Sequence, residues 1–209
     1  MLTFMCRLGA VTVLAILSNS ALAANGNPPS LYNSLARSAP ELNPTVLKSA
    51  LNAVQCAVNN GEERSERLAV IDYSQPSTAR RLWIFDLRKK TLVLRDLVAH
   101  GAKSGENFAT QFSNREGSHQ SSLGLFRTQE SYEGTHGYSL RMDGLEPGFN
   151  DKARERAIVI HGAPYVSDAL VRAQGRLGRS LGCPAVGTAV AKPLIDSIRG
   201  GSFLFAYYP

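Results

Sequence analysis

Two hydrophobic periods divide the chain. Between Leu31 and Val58 apolar residues recur every three or four positions, and Leu47, Leu51, Val54 and Val58 share one face of a helix, with Cys56 on the opposite side. Pro40 and Pro44 interrupt this stretch, which predicts two short helices. Asn25 to Ser30, ahead of them, reads as a flexible lead, and Gly61 to Arg67, behind them, as a charged turn.

From Leu68 the period becomes that of strands. Leu68 to Tyr73, Arg81 to Asp86 and Thr91 to Ala99 are rich in β-branched and aromatic residues, with Lys89-Lys90 at a hairpin turn. Ser122 to Phe126 and Ser139 to Met142 read as further short strands, separated by Gly134-Thr135-His136-Gly137. Between these groups Ala102 to Ser122 is polar and without periodicity, which predicts a long loop over the sheet, either an ordered lid or a disordered segment. Val166 to Ala173 reads as a short helix. Thr188 is placed to cap a last helix containing Leu194, Ile195 and Ile198, stopped by Gly200-Gly201, in which Pro193 is tolerable only near the first turn. Ser202 to Tyr208 closes the chain as an apolar and aromatic strand.

One further strand carries the candidate chemistry. Ile158, Val159 and Ile160 form a β-branched run that stops at His161-Gly162, so an imidazole is expected at a strand end. Downstream, Cys183 stands between Gly182 and Pro184 on a tight turn that can aim backbone N–H groups at one point. A thiol becomes a good nucleophile as its thiolate, and a nearby imidazole is the usual means of making one. His161 and Cys183 are thus a candidate base and nucleophile, with Gly182 at the oxyanion position and Ser180 supporting the turn. Arg176 and Arg179 bring positive charge near Cys183, which favours a thiolate, although a solvated basic loop is an equal reading. Arg141 can grip a carboxylate, or pair with Asp143, Glu146 or Asp151. His100, at the end of the third run, is either a site residue or a packing histidine, and His136 comes near the strand of His161 in sequence order.

Ser180-Leu181-Gly182-Cys183, with His161-Gly162 upstream, resembles the signature of the murein L,D-transpeptidases, the YkuD-like catalytic domain, in the branch where Pro follows the cysteine. Matching segments include Ser121 to Phe126, Gly137 to Arg141, Gly144 to Asn150 and Gly201 to Pro209, so the resemblance covers most of the chain after about residue 30. It implies an α+β, mainly β catalytic domain, a β-sandwich or mixed sheet with flanking helices. The strand-rich reading agrees. It also implies cysteine-dependent acyl transfer on the tetrapeptide stems of peptidoglycan, without a cofactor, and acylation by carbapenems. Arg141, Tyr165, Arg179, His100, His136 and Ser122 are the substrate-binding candidates. The sequence departs from the commoner family pattern at Leu181, where many members have His, and at Pro184-Ala185, where Arg or Asn often follows the cysteine.

Composition narrows the setting. Arg7, the apolar run Leu8 to Leu17 and Ala21-Leu22-Ala23 are the parts of a secretory signal peptide, with cleavage expected after Ala23. No later stretch approaches the ~20 apolar residues a membrane helix needs. Residues 24–60 are then the lead and helical segment, and 61–209 the catalytic domain, of a monomer exported to the periplasm or cell wall. The net charge of +6 suits an anionic partner such as stem-peptide carboxylates. No basic stripe interleaved with aromatics points to nucleic acid. The four histidines show no metal-ligand spacing and there is no C-x-x-C.

Three rival readings remain. Cys56 and Cys183 can form a disulfide in an oxidising compartment, which would consume the nucleophile. A papain-like hydrolase also pairs Cys with His, but there the cysteine precedes the histidine, the reverse of the order here. A wall-binding module could keep the fold without turnover.

Overall fold

The computed structural model describes residues 30–209. The expected signal peptide and the start of the lead lie outside these residues. Two helices open the described residues, α1 (Leu31–Ser38) and α2 (Pro44–Asn59). Both begin where the sequence offers a cap: Ser30 Oγ accepts from the Asn33 N–H, and Asn43 Oδ1 accepts from that of Thr45, just ahead of Pro44 at the first helical position.

Eight strands follow in one mixed sheet. They are β1 (Arg67–Asp72), β2 (Leu82–Asp86), β3 (Thr91–Asp96), β4 (Gly124–Gly134), β5 (Gly137–Gly144), β6 (Val159–Ala163), β7 (Ala185–Gly187) and β8 (Phe203–Tyr207). Helix α3 (Asp168–Gln174) lies between β6 and β7, and α4 (Thr188–Ile198) between β7 and β8. The spatial order is β3-β2-β1-β8-β4-β5-β6-β7, with β1/β8 and β6/β7 parallel and the other pairs antiparallel. The architecture is α+β and mainly β, and of the two expected arrangements it is the mixed sheet.

Central strands are apolar on both faces because both faces are covered. Leu68, Val70, Phe203 and Phe205 point to α1 and α2, where they meet Leu35, Val46, Leu47 and Ala50. Ala69, Ile71, Leu204 and Ala206 point the other way, to Ala191, Leu194, Ile195 and Ile198 of α4. The buried stripe of α2 is Val46, Leu47, Ala50 and Ala53, while Leu51, Val54 and Val58 are only partly buried. Small alanines let the helix approach the sheet closely, so the stripe is turned from the one the larger side chains suggested.

Several boundaries differ from expectation. Strand β6 continues through His161 to Ala163, so the histidine sits inside the sheet between β5 and β7 and not at a strand end. Its Gly162-Ala163 extension follows from pairing with β7, which comes much later in the chain. Strand β4 runs on through polar Arg127 to Gly134 as one arm of a hairpin, where pairing with β5 replaces hydrophobic pattern as the organising force. Gly187, not Thr188, holds the cap position of α4, with no side-chain cap. Pro193 lies in the second turn of α4, on its exposed face beside exposed Ala189, so the carbonyl that loses its partner belongs to an exposed residue.

Residues 97–123 form an ordered loop stitched beneath the cysteine turn. The Ala99 N–H donates to the Ala185 carbonyl at 2.8 Å, that of Ala102 to Ser180 at 2.7 Å, and that of Ser180 to His100 at 3.0 Å. The root of this loop is Arg81. Its guanidinium is wholly buried and donates to the carbonyls of Gln75 and Val98 and to His100 Nδ1 at 2.7 Å, and it lies over the Tyr73 ring. Because an arginine can only donate, His100 Nδ1 must accept, which fixes the neutral tautomer with its proton on Nε2, directed to the Gly105 carbonyl.

Burial, then the facing Arg81 cation, push the His100 pKa down to about 4. A histidine depressed in the folded state stabilises the fold above its unfolded pKa and loses that contribution as pH falls. The unfolding free energy from urea titrations should therefore fall from about pH 6.5 toward about pH 4, by up to about 3 kcal/mol from this group. A His100→Asn variant should show a flatter dependence across that window. An unchanged slope would mean that another group dominates.

Candidate active site

His161 and Cys183 line one cleft of about 460 Å³. Its walls include Thr135 and His136 from the β4–β5 turn, Gly162, Pro164 and Tyr165 from the end of β6, and Arg179, Ser180 and Leu181 ahead of the cysteine. The parallel register pairs His161 with Ala185, so Cys183 falls two positions earlier and faces the start of β6. There the Val159 N–H donates to Sγ at 3.4 Å, and the thiol points to the Ala157 carbonyl at 3.7 Å.

Cys183 is a free thiol, so the Cys56–Cys183 disulfide is not formed. Burial pushes the thiol up, while the Val159 N–H and the nearby Arg156 cation pull it down. The positive charge expected from Arg176 and Arg179 is directed elsewhere. Both pair with Glu106, Arg179 at 2.6 Å and Arg176 at 3.3 Å.

His161 is oriented by its own backbone. Nδ1 lies 2.9 Å from the Gly162 carbonyl, which can only accept, so the proton is on Nδ1 and Nε2 carries the lone pair. The ring stacks on His136, with centroids 4.5 Å apart and planes 23° from parallel. Burial lowers the His161 pKa, the Gly162 carbonyl opposes this, and His136 lowers it further. The imidazole is therefore held in its basic, neutral form.

The turn before Cys183 is built by Ser180. Its hydroxyl donates to the Cys183 carbonyl at 2.6 Å and accepts from the Gly182 N–H at 3.1 Å. That bond occupies one of the two N–H groups expected to face an oxyanion. Gly182 has φ +123°, and a methyl placed on it would lie 2.9 Å from the Gln120 carbonyl oxygen and 3.0 Å from Ile158 Cδ1. Only glycine fits there. Ser121 Oγ adds a strut, donating to the Gly182 carbonyl and accepting from the Gly101 N–H.

The structure separates the other candidates. His136, Tyr165 and Arg179 line the cleft. His100 does not, being fully buried against Arg81. Ser122 is also buried, between Arg156 and the Ser113 carbonyl. Arg141 is held by Glu130 at 3.1 Å and lies over the Tyr132 ring, partners on β4 that differ from the acids near it in sequence. Among the described residues no group of three His, Cys, Asp or Glu could hold a metal ion, and no helix is long and apolar enough to cross a membrane.

Residues 38–207 match the family model of the L,D-transpeptidase catalytic domain. The chain belongs to that family. A search among curated proteins found no match to it. Solved structures similar to this transpeptidase domain include an L,D-transpeptidase from Mycobacterium smegmatis, 14% identical, covering 68% of this chain and 59% of that one, with a TM-score of 0.42. Another is an L,D-transpeptidase from Stackebrandtia nassauensis, 10% identical, covering 83% and 74%, with a TM-score of 0.40. A third, an L,D-transpeptidase from Mycobacterium tuberculosis H37Rv, is 13% identical over 68% and 58%, with a TM-score of 0.41. The domain thus spans less than two thirds of the length of both mycobacterial structures. The match begins at Ser38, the last residue of α1, and takes in Val46 and Leu47 of α2, which are buried against the sheet.

Two outcomes follow for the transpeptidase domain. Gly182→Ala should cost about 2 kcal/mol through crowding and the positive φ, seen as a lower melting temperature. Wild-type stability in that variant would mean that the turn relaxes freely. His136→Ala removes a neighbouring imidazole and part of the cover over His161, and both changes raise the His161 pKa. NMR titration of the His161 ring should show the upward shift, and a downward one would contradict the stacking account.

Proposed function

We propose that this chain is an exported peptidoglycan L,D-transpeptidase working through Cys183 and a thioester intermediate. The observation that carries the proposal is the meeting, in one cleft, of a free thiol and an imidazole whose basic Nε2 is left over after Nδ1 is engaged by the Gly162 carbonyl. His161 takes the proton from Cys183, and the thiolate attacks the carbonyl of the third residue of a tetrapeptide stem. The tetrahedral oxyanion is met by the Cys183 N–H, since that of Gly182 is engaged by Ser180. Collapse breaks the bond to the terminal D-alanine, which leaves as an amine with a proton returned by His161.

An amine from a neighbouring stem then attacks the thioester and gives its proton to His161; the carbon–sulfur bond breaks, the cross-linked product leaves, and the released Cys183 thiolate takes the proton back from His161. Substrate recognition falls to the groups lining the cleft: Tyr165, His136, Leu181 and Arg179. Leu181 is 68% exposed, an apolar side chain presented at the mouth of the site where many family members have an imidazole. Export rests on the leader over residues 1–23, which places the enzyme in the periplasm or wall where stem peptides occur.

The reading is tested by incubating a purified disaccharide-tetrapeptide with the reduced protein and following products by mass spectrometry. A cross-linked dimer with wild type, and none with a folded Cys183→Ala variant, is expected. Loss of alanine without a dimer would make water the acceptor and the enzyme a carboxypeptidase. Undiminished turnover in Cys183→Ala would remove the cysteine from the chemistry, and absence of any product would favour a wall-binding module. Carbapenem adducts should likewise appear on Cys183 in the wild type alone.

A further inference from the structure

Arg156 lies just before β6. Its guanidinium reaches under the cysteine turn: a methyl placed on Gly182 would sit 3.5 Å from Nη2. Four hydrogen bonds hold it there. Nη1 donates to the Ser113 carbonyl and Ser122 Oγ, and Nη2 to Ser118 Oγ at 3.1 Å and the Gln120 carbonyl at 2.7 Å. All four acceptors are neutral, and among the described residues Arg156 takes part in no ion pair. That is unlike Arg154, two positions earlier, which is paired with Asp143 and Glu130.

A half-buried cation given only neutral acceptors is a charge kept available. The ionisable group within reach of its field is Cys183. The backbone beside the cysteine is also turned toward the sulfur. Ala157, a non-glycine residue at φ +51°, turns its carbonyl to the thiol, and the N–H of Val159 is directed at Sγ.

We propose that Arg156 is a positioning residue that supplies the counter-charge for the Cys183 thiolate, while its four hydrogen bonds hold the loop behind the turn at fixed distance. The proposal rests on Cys183 being the reactive thiol. In the reaction, the Cys183 proton moves to His161 Nε2 and the new negative charge on sulfur is met from behind by Arg156 and the Val159 N–H. Burial of the thiol would otherwise oppose this transfer. Attack on the carbonyl carbon then carries that charge to the oxyanion, so the cation helps most while the sulfur is ionised.

The test is the pH dependence of iodoacetamide alkylation of Cys183, read by mass spectrometry of the peptide that contains it. This readout does not need turnover, so it stands or falls separately from the transpeptidase reading. Arg156→Gln should move the alkylation midpoint up by about one pH unit, slowing alkylation at neutral pH about tenfold. Arg156→Lys keeps the charge but cannot reach all four acceptors, so it should recover most of the shift. A midpoint unchanged in Arg156→Gln would overturn the proposal, and so would equal shifts in the Gln and Lys variants, because a purely structural role is lost in both.

Should Arg156→Gln fail to fold, the unaltered protein answers the same question. The Arg156 Nε signal should titrate with the midpoint of Cys183 alkylation and become flat in Cys183→Ala. A signal that is already flat in the wild type, or that titrates identically in Cys183→Ala, would refute the coupling.

Discussion

A buried cation with no ion pair among the described residues holds the cysteine turn in place. Arg81 is fully enclosed, and its guanidinium is satisfied by two carbonyls, one imidazole nitrogen and the face of Tyr73. A charge in such a place tolerates no loss of acceptors, so the segment carrying Val98 and His100 has little freedom. The His100 carbonyl takes the Ser180 N–H, the Ser180 carbonyl takes that of Ala102, and the Ser180 hydroxyl closes the turn onto Gly182 and Cys183. Arg81 immediately precedes β2, on the far side of the sheet order from the site. It reaches the thiol through three links.

Around the thiol, charge is sparse and directed. Burial raises the Cys183 pKa and lowers that of His161, so both the neutral thiol and the neutral imidazole are favoured in the cleft they line. In the proposed reaction this keeps the base ready, and charge develops only as substrate arrives. Among the described residues the Arg156 cation lowers the Cys183 pKa, whereas Arg179 in the cleft wall is answered by Glu106. The His136 ring, brought by a hairpin turn, covers the face of His161 and adds to its low basicity.

The mixed sheet makes this arrangement rigid. Alternate residues of β1 and β8 lock it to α2 on one face and α4 on the other. The parallel β6/β7 pair aligns His161 with Ala185, and so holds Cys183 on the turn two residues before that partner. Such a pairing needs a long crossover, supplied by α3 and the arginine-bearing loop that follows it.

Local pattern alone determined the two opening helices, since Pro40 and Pro44 break a helical period that side-chain caps then start. It also determined the apolar cores of the strands, and it singled out His161, Cys183, Ser180 and Gly182, because glycine, proline and a lone thiol carry their geometry in their identity. Tertiary structure decided what depends on partners distant in sequence. The polar arm of β4 exists because β5 pairs with it, and β6 runs past His161 because β7 does. His100 was turned from a site candidate into a buried acceptor by Arg81, and Arg141 was claimed by Glu130. Arg156 carried no signal in the sequence: an arginine is defined by which oxygens surround it, and its acceptors come from Ser113 to Ser122, a loop whose course only the folded sheet fixes.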